Sequence, residues 1–98
     1  MSRTPCVILG CRCSTREQYK EWVCQKHWSK VPRSLRQRYN AAKRLARRII
    51  RRKPLYREWW KLQPGSSERF AAIRLWKRLD TLWARCRDAA QDAEVGLL

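Results

Sequence analysis

From residue 32 onward the apolar positions fall into two long stripes of helical period. Leu35, Tyr39, Ala42, Ala46 and Ile49 follow one another at steps of 4, 3, 4 and 3, the spacing that keeps side chains on one face of an α-helix. Leu45 and Ile50 widen that stripe. Pro32 opens the segment and Pro54 ends it, because proline suits a helix start but lacks the amide donor that a helix interior needs. The second stripe runs through Phe70, Ile73, Trp76, Leu79, Leu82, Trp83, Cys86 and Ala90. Pro64-Gly65 breaks the chain ahead of it. Ser66 or Ser67 offers a cap there, and Glu68 stands in the first turn, where the helix dipole favours an anion. This helix is expected to reach about residue 93 and to fray at its end. Asp88, Asp92 and Glu94 crowd that end, and its dipole disfavours acids.

Two helices of this length, joined by a connector, predict an antiparallel hairpin. The expected organisation is a knuckle over residues 1–31, a basic helix over 32–53, a connector over 54–67 and a C-terminal helix over 68–98, together one compact, mainly α domain. The connector "PLYREWWKLQPGSS" carries Tyr56, Trp59 and Trp60 and is expected to contain a short helical turn.

The first 31 residues follow no such pattern. They have few apolar residues to bury, yet they hold four of the five cysteines and the sole histidine. Cys6, Cys11, Cys24 and His27 are spaced C-x4-C-x12-C-x2-H. Zinc takes four sulfur or nitrogen ligands in a tetrahedron, delivered here as two short pairs from separate local structures. Gly10 allows the tight turn that brings Cys6 and Cys11 together, and Cys24 and His27, three apart, share a face of one helical turn. Four protein ligands close the coordination sphere, so one zinc ion here is structural, supplying folding energy that a small chain lacks. Cys13 is an alternative ligand to Cys11. Cys86 stands alone on the second stripe as a core thiol.

The stretches "CVILGC" (6–11) and "CQKHWSKVPRSLR" (24–36) resemble small proteins of bacteriophages and prophages that begin with a treble-clef-like zinc site. In those proteins an aromatic residue follows the histidine and a basic helix follows that, as Trp28 and residues 33–53 do here. The likeness covers about the first third of the chain, and Cys13 departs from its pattern. It implies a zinc knuckle on Cys6, Cys11, Cys24 and His27, a phage or prophage origin and a nucleic-acid role. Most members of the group have no assigned activity.

Charge turns attention to the first long helix. The chain has 24 Lys and Arg against 8 Asp and Glu, a net charge of +16. Residues 1–53 hold sixteen basic and two acidic side chains, and residues 54–98 hold eight and six. Such asymmetry points to a polyanionic partner for the first half. Residues 33–53 contain ten basic side chains and no acidic one. Arg36, Lys43, Arg47 and Arg51 lie away from the apolar stripe, with Arg44, Arg48 and Arg52 beside them and Lys26 and Lys30 near the knuckle. Such a helix neutralises phosphates and has the width of a DNA major groove. Duplex DNA is therefore expected ahead of RNA, although Tyr56, Trp59 and Trp60 could stack on unpaired bases. The competing expectation is an acidic host protein bound through the arginines and a Trp59-Trp60 patch. The second stripe also offers a surface for a homodimer.

Other classes are disfavoured. Treble clefs also frame HNH nucleases, but the one histidine is committed to the metal set. Glu17 and Glu21 are the only acids of the first half, and the Cys24–His27 pair has no third group to orient it. No enzyme activity is expected. No stretch approaches the ~18 apolar residues of a membrane span. Nor does an apolar run precede the "CVILGC" segment, as a lipoprotein signal would require. The odd cysteine count does not suit a disulfide framework. The expected setting is the cytoplasm of a bacterial host cell, beside the nucleoid.

Overall fold

The computed structural model describes residues 3–95; the ends of the expected first and last segments, 1–2 and 96–98, lie outside them. It is mainly helical, with a two-stranded sheet near the N-terminus and long helices packed together. The elements are β1 (Thr4–Pro5), β2 (Ser14–Thr15), a single turn α1 (Gln25–Trp28), α2 (Arg33–Arg52), a 3-10 segment (Pro54–Lys61) and α3 (Ser67–Glu94). No helix among the described residues is long and apolar enough to cross a membrane. The described residues divide into two compact units, one of those up to Arg36 together with those from Ala84 onward, and one of Gln37–Trp83.

In the first unit, β1 and β2 pair antiparallel with Thr4 opposite Thr15 and Pro5 opposite Ser14. The Cys6 amide continues the ladder by donating to the Cys13 carbonyl at 2.8 Å. Arg3 clamps the edge, its Nε donating to Ser14 Oγ at 2.7 Å. Between the strands the chain turns back on itself, the Cys11 amide donating to the Ile8 carbonyl while Gly10 takes φ of +81°. A side chain rarely tolerates that φ, which is why glycine stands there. The Thr4 hydroxyl donates to the Glu17 carbonyl, and the Val7 amide to the Trp22 carbonyl, tying the next loop to the hairpin. Ile8, Val23, Val31, Cys86 and Ala90 form the buried apolar interior, together with Cys6, Cys24 and His27. Glu21 and Arg87, both half-buried, make an ion pair at 3.0 Å.

The second unit is the helical hairpin. Tyr39 on α2 meets Trp83 on α3 with ring centres 5.8 Å apart, while Lys53, just past α2, reaches Glu68 at the start of α3 at 3.0 Å. The pairing of an early residue with a late one, and the reverse, defines the antiparallel register. Ala42, Ala46 and Ala72 are buried between larger neighbours, and such small side chains let helix axes approach closely. Tyr56 from the 3-10 segment fills the closed end, and Trp76 Nε1 donates to its carbonyl at 2.6 Å. Ser66 is the cap of α3: its hydroxyl accepts from the Arg69 amide at 3.2 Å, satisfying one of the open amides of a helix start. Gly65, at φ +80°, makes the turn into it.

The apolar stripes are largely as their spacing predicts, with two corrections. Leu45 is 42% exposed and does not widen the buried face of α2. Phe70 is 53% exposed, and Ala72 is buried in its place. Leu82, Cys86 and Ala90 are buried at four-residue steps, and that line continues back to Ala72, whereas Phe70 lies about 200° around the helix from it.

Candidate metal centre and basic surface

Cys6 leaves β1 and Cys11 ends the turn held by Gly10, so one hairpin presents both thiols. Cys24 is the N-cap of α1 and His27 lies within that turn. Their donor atoms, Sγ of the three cysteines and a ring nitrogen of His27, all lie within 4.8 Å of one another. The Cys11 and Cys24 sulfurs are 3.8 Å apart, His27 Nδ1 is 3.1 Å from Cys24 Sγ, and Cys6 Sγ is 3.9 Å from Nδ1. A tetrahedral ion bonded at about 2.3 Å to sulfur and about 2.0 Å to nitrogen holds its donors about 3.6–3.8 Å apart. The cluster therefore fits one metal ion with four protein ligands. It is not a disulfide site, since S–S bonding requires about 2.05 Å, and all five cysteines are free thiols.

The surroundings favour a thiolate at Cys24. Burial opposes its ionisation, but hydrogen bonds from the His27 backbone and ring and from the Cys11 and Cys6 thiols outweigh it, bringing the pKa down to about 6. Burial pushes Cys6 up, partly offset by the Cys24 amide, which donates to its sulfur at 3.4 Å. Cys13, the alternative ligand, is exposed and stands outside the cluster of four. Hydrogen bonding with the Cys11 and Cys24 thiols raises it to about 11.

Sequence reasoning missed one member of the site. Glu94, in the last turn of α3, brings Oε2 to 3.2 Å from His27 Nε2 and to 3.0 Å from Lys30 Nζ. With Nε2–H donating to this carboxylate, Nδ1 would be free to give its lone pair to an ion held by the thiols. Carboxylate partners of this kind fix the tautomer and orientation of ligating histidines. Lys30, through its hydrogen bond and its charge, holds Glu94 below the usual carboxylate range. No local signal marks a partner 67 residues away.

The basic residues of α2 divide into two groups. Arg36 is half-buried and donates through Nε to the Val31 carbonyl at 3.0 Å. Lys43 is half-buried, its Nζ 5.3 Å from the Tyr39 ring centre, and burial followed by the nearby Arg47 lowers its pKa. Arg44, Arg47, Arg48, Arg51 and Arg52 are exposed, and among the described residues no Asp or Glu is within ion-pair distance of any of them. Arg44, Arg47, Arg48 and Arg51 stand at i, i+3, i+4 and i+7, which makes one arc of about 100° on the helix. Near the knuckle, Lys26 is exposed, and Lys30 is exposed but engaged by Glu94.

The connector aromatics also separate. Trp59 is half-buried with the Arg69 guanidinium 5.2 Å from its ring centre, whereas Trp60 is 57% exposed. Comparison with known proteins adds nothing to this geometry: no protein-family model, curated protein or solved structure matches the chain.

Proposed function

We propose that the protein is a zinc-stabilised nucleic-acid-binding module, phage-like in its knuckle, that acts by binding rather than by catalysis. Zinc is the metal that best suits three thiolates and an imidazole in a closed tetrahedral set. Its role is to fold the N-terminal unit, whose largest fully buried side chains among the described residues are Ile8, Val31 and Cys86. The observation that carries the binding role is the stripe of exposed arginines at Arg44, Arg47, Arg48 and Arg51, with no carboxylate among the described residues within ion-pair distance of it. Four cations on one arc of a helix can contact the phosphates flanking a duplex groove, and duplex DNA is the expected partner. Contacts to phosphate carry affinity without sequence preference.

An acidic surface of a host protein would attract the same arginines. Binding of a random-sequence duplex at two salt concentrations separates the two. Phosphate contact gives a log–log salt dependence with a slope of about −0.9 per contact. Replacing Arg44, Arg47, Arg48 and Arg51 with Ala is expected to flatten that slope and weaken binding on every sequence alike. Absence of duplex affinity at low salt, or affinity unchanged in the four-fold variant, would overturn nucleic-acid binding through α2.

A further inference from the structure

We infer that Trp60 is a stacking platform for an unpaired base, so that the ligand is nucleic acid in which a single strand adjoins the phosphates held by α2. This rests on the phosphate-binding role proposed above and extends it.

Of the three connector aromatics, only one is available to an incoming ring. Tyr56 is buried, its carbonyl taken by Trp76 Nε1. Trp59 is half-buried and carries the Arg69 guanidinium on its ring. Trp60 is 57% exposed, yet it is held in place. Its ring contacts Trp59 edge-on, with centres 5.9 Å apart and planes at 78°. Arg69 NH1 reaches the Trp60 carbonyl at 3.4 Å and the Leu62 carbonyl at 3.0 Å, pinning the backbone on which the ring stands. A large, exposed, braced aromatic side chain presents its area at little cost in conformational entropy.

Charge decides what would cover it. Residues 37–83 contain fourteen Lys and Arg against three Asp and Glu, a net of +11. Arg51, Arg52 and Arg57 are exposed on either side of the turn from α2 into the 3-10 segment. An apolar protein surface laid on Trp60 would bring those cations with it, whereas a strand of nucleic acid offers a flat base to the ring and phosphates to the arginines. Aromatic stacking beside a basic track is how sequence-tolerant single-strand binding is built. The distance is suitable too. Trp60 follows Arg52, the end of α2, by eight residues, most of them in a kinked 3-10 segment, which spans about 16 Å at about 2.0 Å per residue. That is about five nucleotides at 3.4 Å each.

The test uses the metal-loaded full chain and three labelled oligonucleotides: a blunt duplex, the same duplex with a five-nucleotide single-stranded tail, and the tail strand alone. The tailed duplex is expected to bind more tightly than the blunt one. Trp60→Ala should lose about 5- to 100-fold on the tailed duplex and nothing on the blunt one, while Trp60→Phe retains most of the difference. Circular dichroism and thermal melts of both variants establish that the fold is intact. Equal binding of tailed and blunt duplexes, or a Trp60→Ala loss shared equally by both, overturns the platform while leaving phosphate binding standing. If none of the three ligands binds at low salt, phosphate binding falls together with it.

Discussion

Glu94 Oε2 lies 3.2 Å from His27 Nε2, while Nδ1 of the same ring faces Cys24 at 3.1 Å and Cys6 at 3.9 Å. The last turn of α3 thus buttresses the histidine of the candidate metal cluster. Glu94→Ala is expected to weaken metal binding by about 10- to 100-fold, the range for loss of a partner that orients a ligating histidine. Lys30→Ala removes the exposed Lys30–Glu94 contact without touching the ring and should have a much smaller effect. Competition against a chromophoric chelator measures both. Equal losses in the two variants would mean that the ion pair, and not the histidine contact, matters.

The five thiols should report the state of the centre through their accessibility. Cys13 is exposed and outside the cluster, whereas Cys86 is fully buried on α3 and burial raises its pKa. In the metal-loaded protein, a thiol-reactive dye is expected to modify Cys13 alone, and slowly at neutral pH, since its raised pKa leaves little thiolate. Chelation should then release Cys6, Cys11 and Cys24, and Cys86 should react only on unfolding by denaturant. Protection of Cys13 together with exposure of Cys11 would instead make Cys13 the ligand.

Leu82 is a large side chain buried on α3. Leu82→Ala is expected to destabilise the hairpin by about 2–5 kcal/mol, read as a lower midpoint in urea with an unchanged slope. Phe70→Ala, at an exposed position of the same helix, should shift the midpoint far less. A reversed order would restore Phe70 to the core.

Much of this was legible in the sequence, because the features concerned are local. Pro32, Pro54 and Pro64-Gly65 set the helix limits to within a residue or two, and Ser66 proved to be the cap. The two ligand pairs could be read from spacing because each lies within a single turn of chain. What escaped depended on contacts between distant residues. Glu94 read as a destabilising charge at a helix end, yet Lys30 and His27 give it partners there. The short β1–β2 ladder has too few residues to show alternation. Ala72 carries no hydrophobic signal strong enough to mark the buried line, and Phe70, which carries one, lies off it. Trp59 and Trp60 are adjacent and alike in sequence; burial and the guanidinium of Arg69 over the Trp59 ring tell them apart.

Native mass spectrometry of the full chain, before and after a chelator, tests the metal-held knuckle most directly. One zinc ion per chain is expected in the wild type and in Cys13→Ser, and none in Cys24→Ser. Chelation should also remove the far-UV signal of the N-terminal unit, since a small metal-held fold is lost with its ion. A wild-type chain that carries no metal and is unchanged by chelation would contradict it.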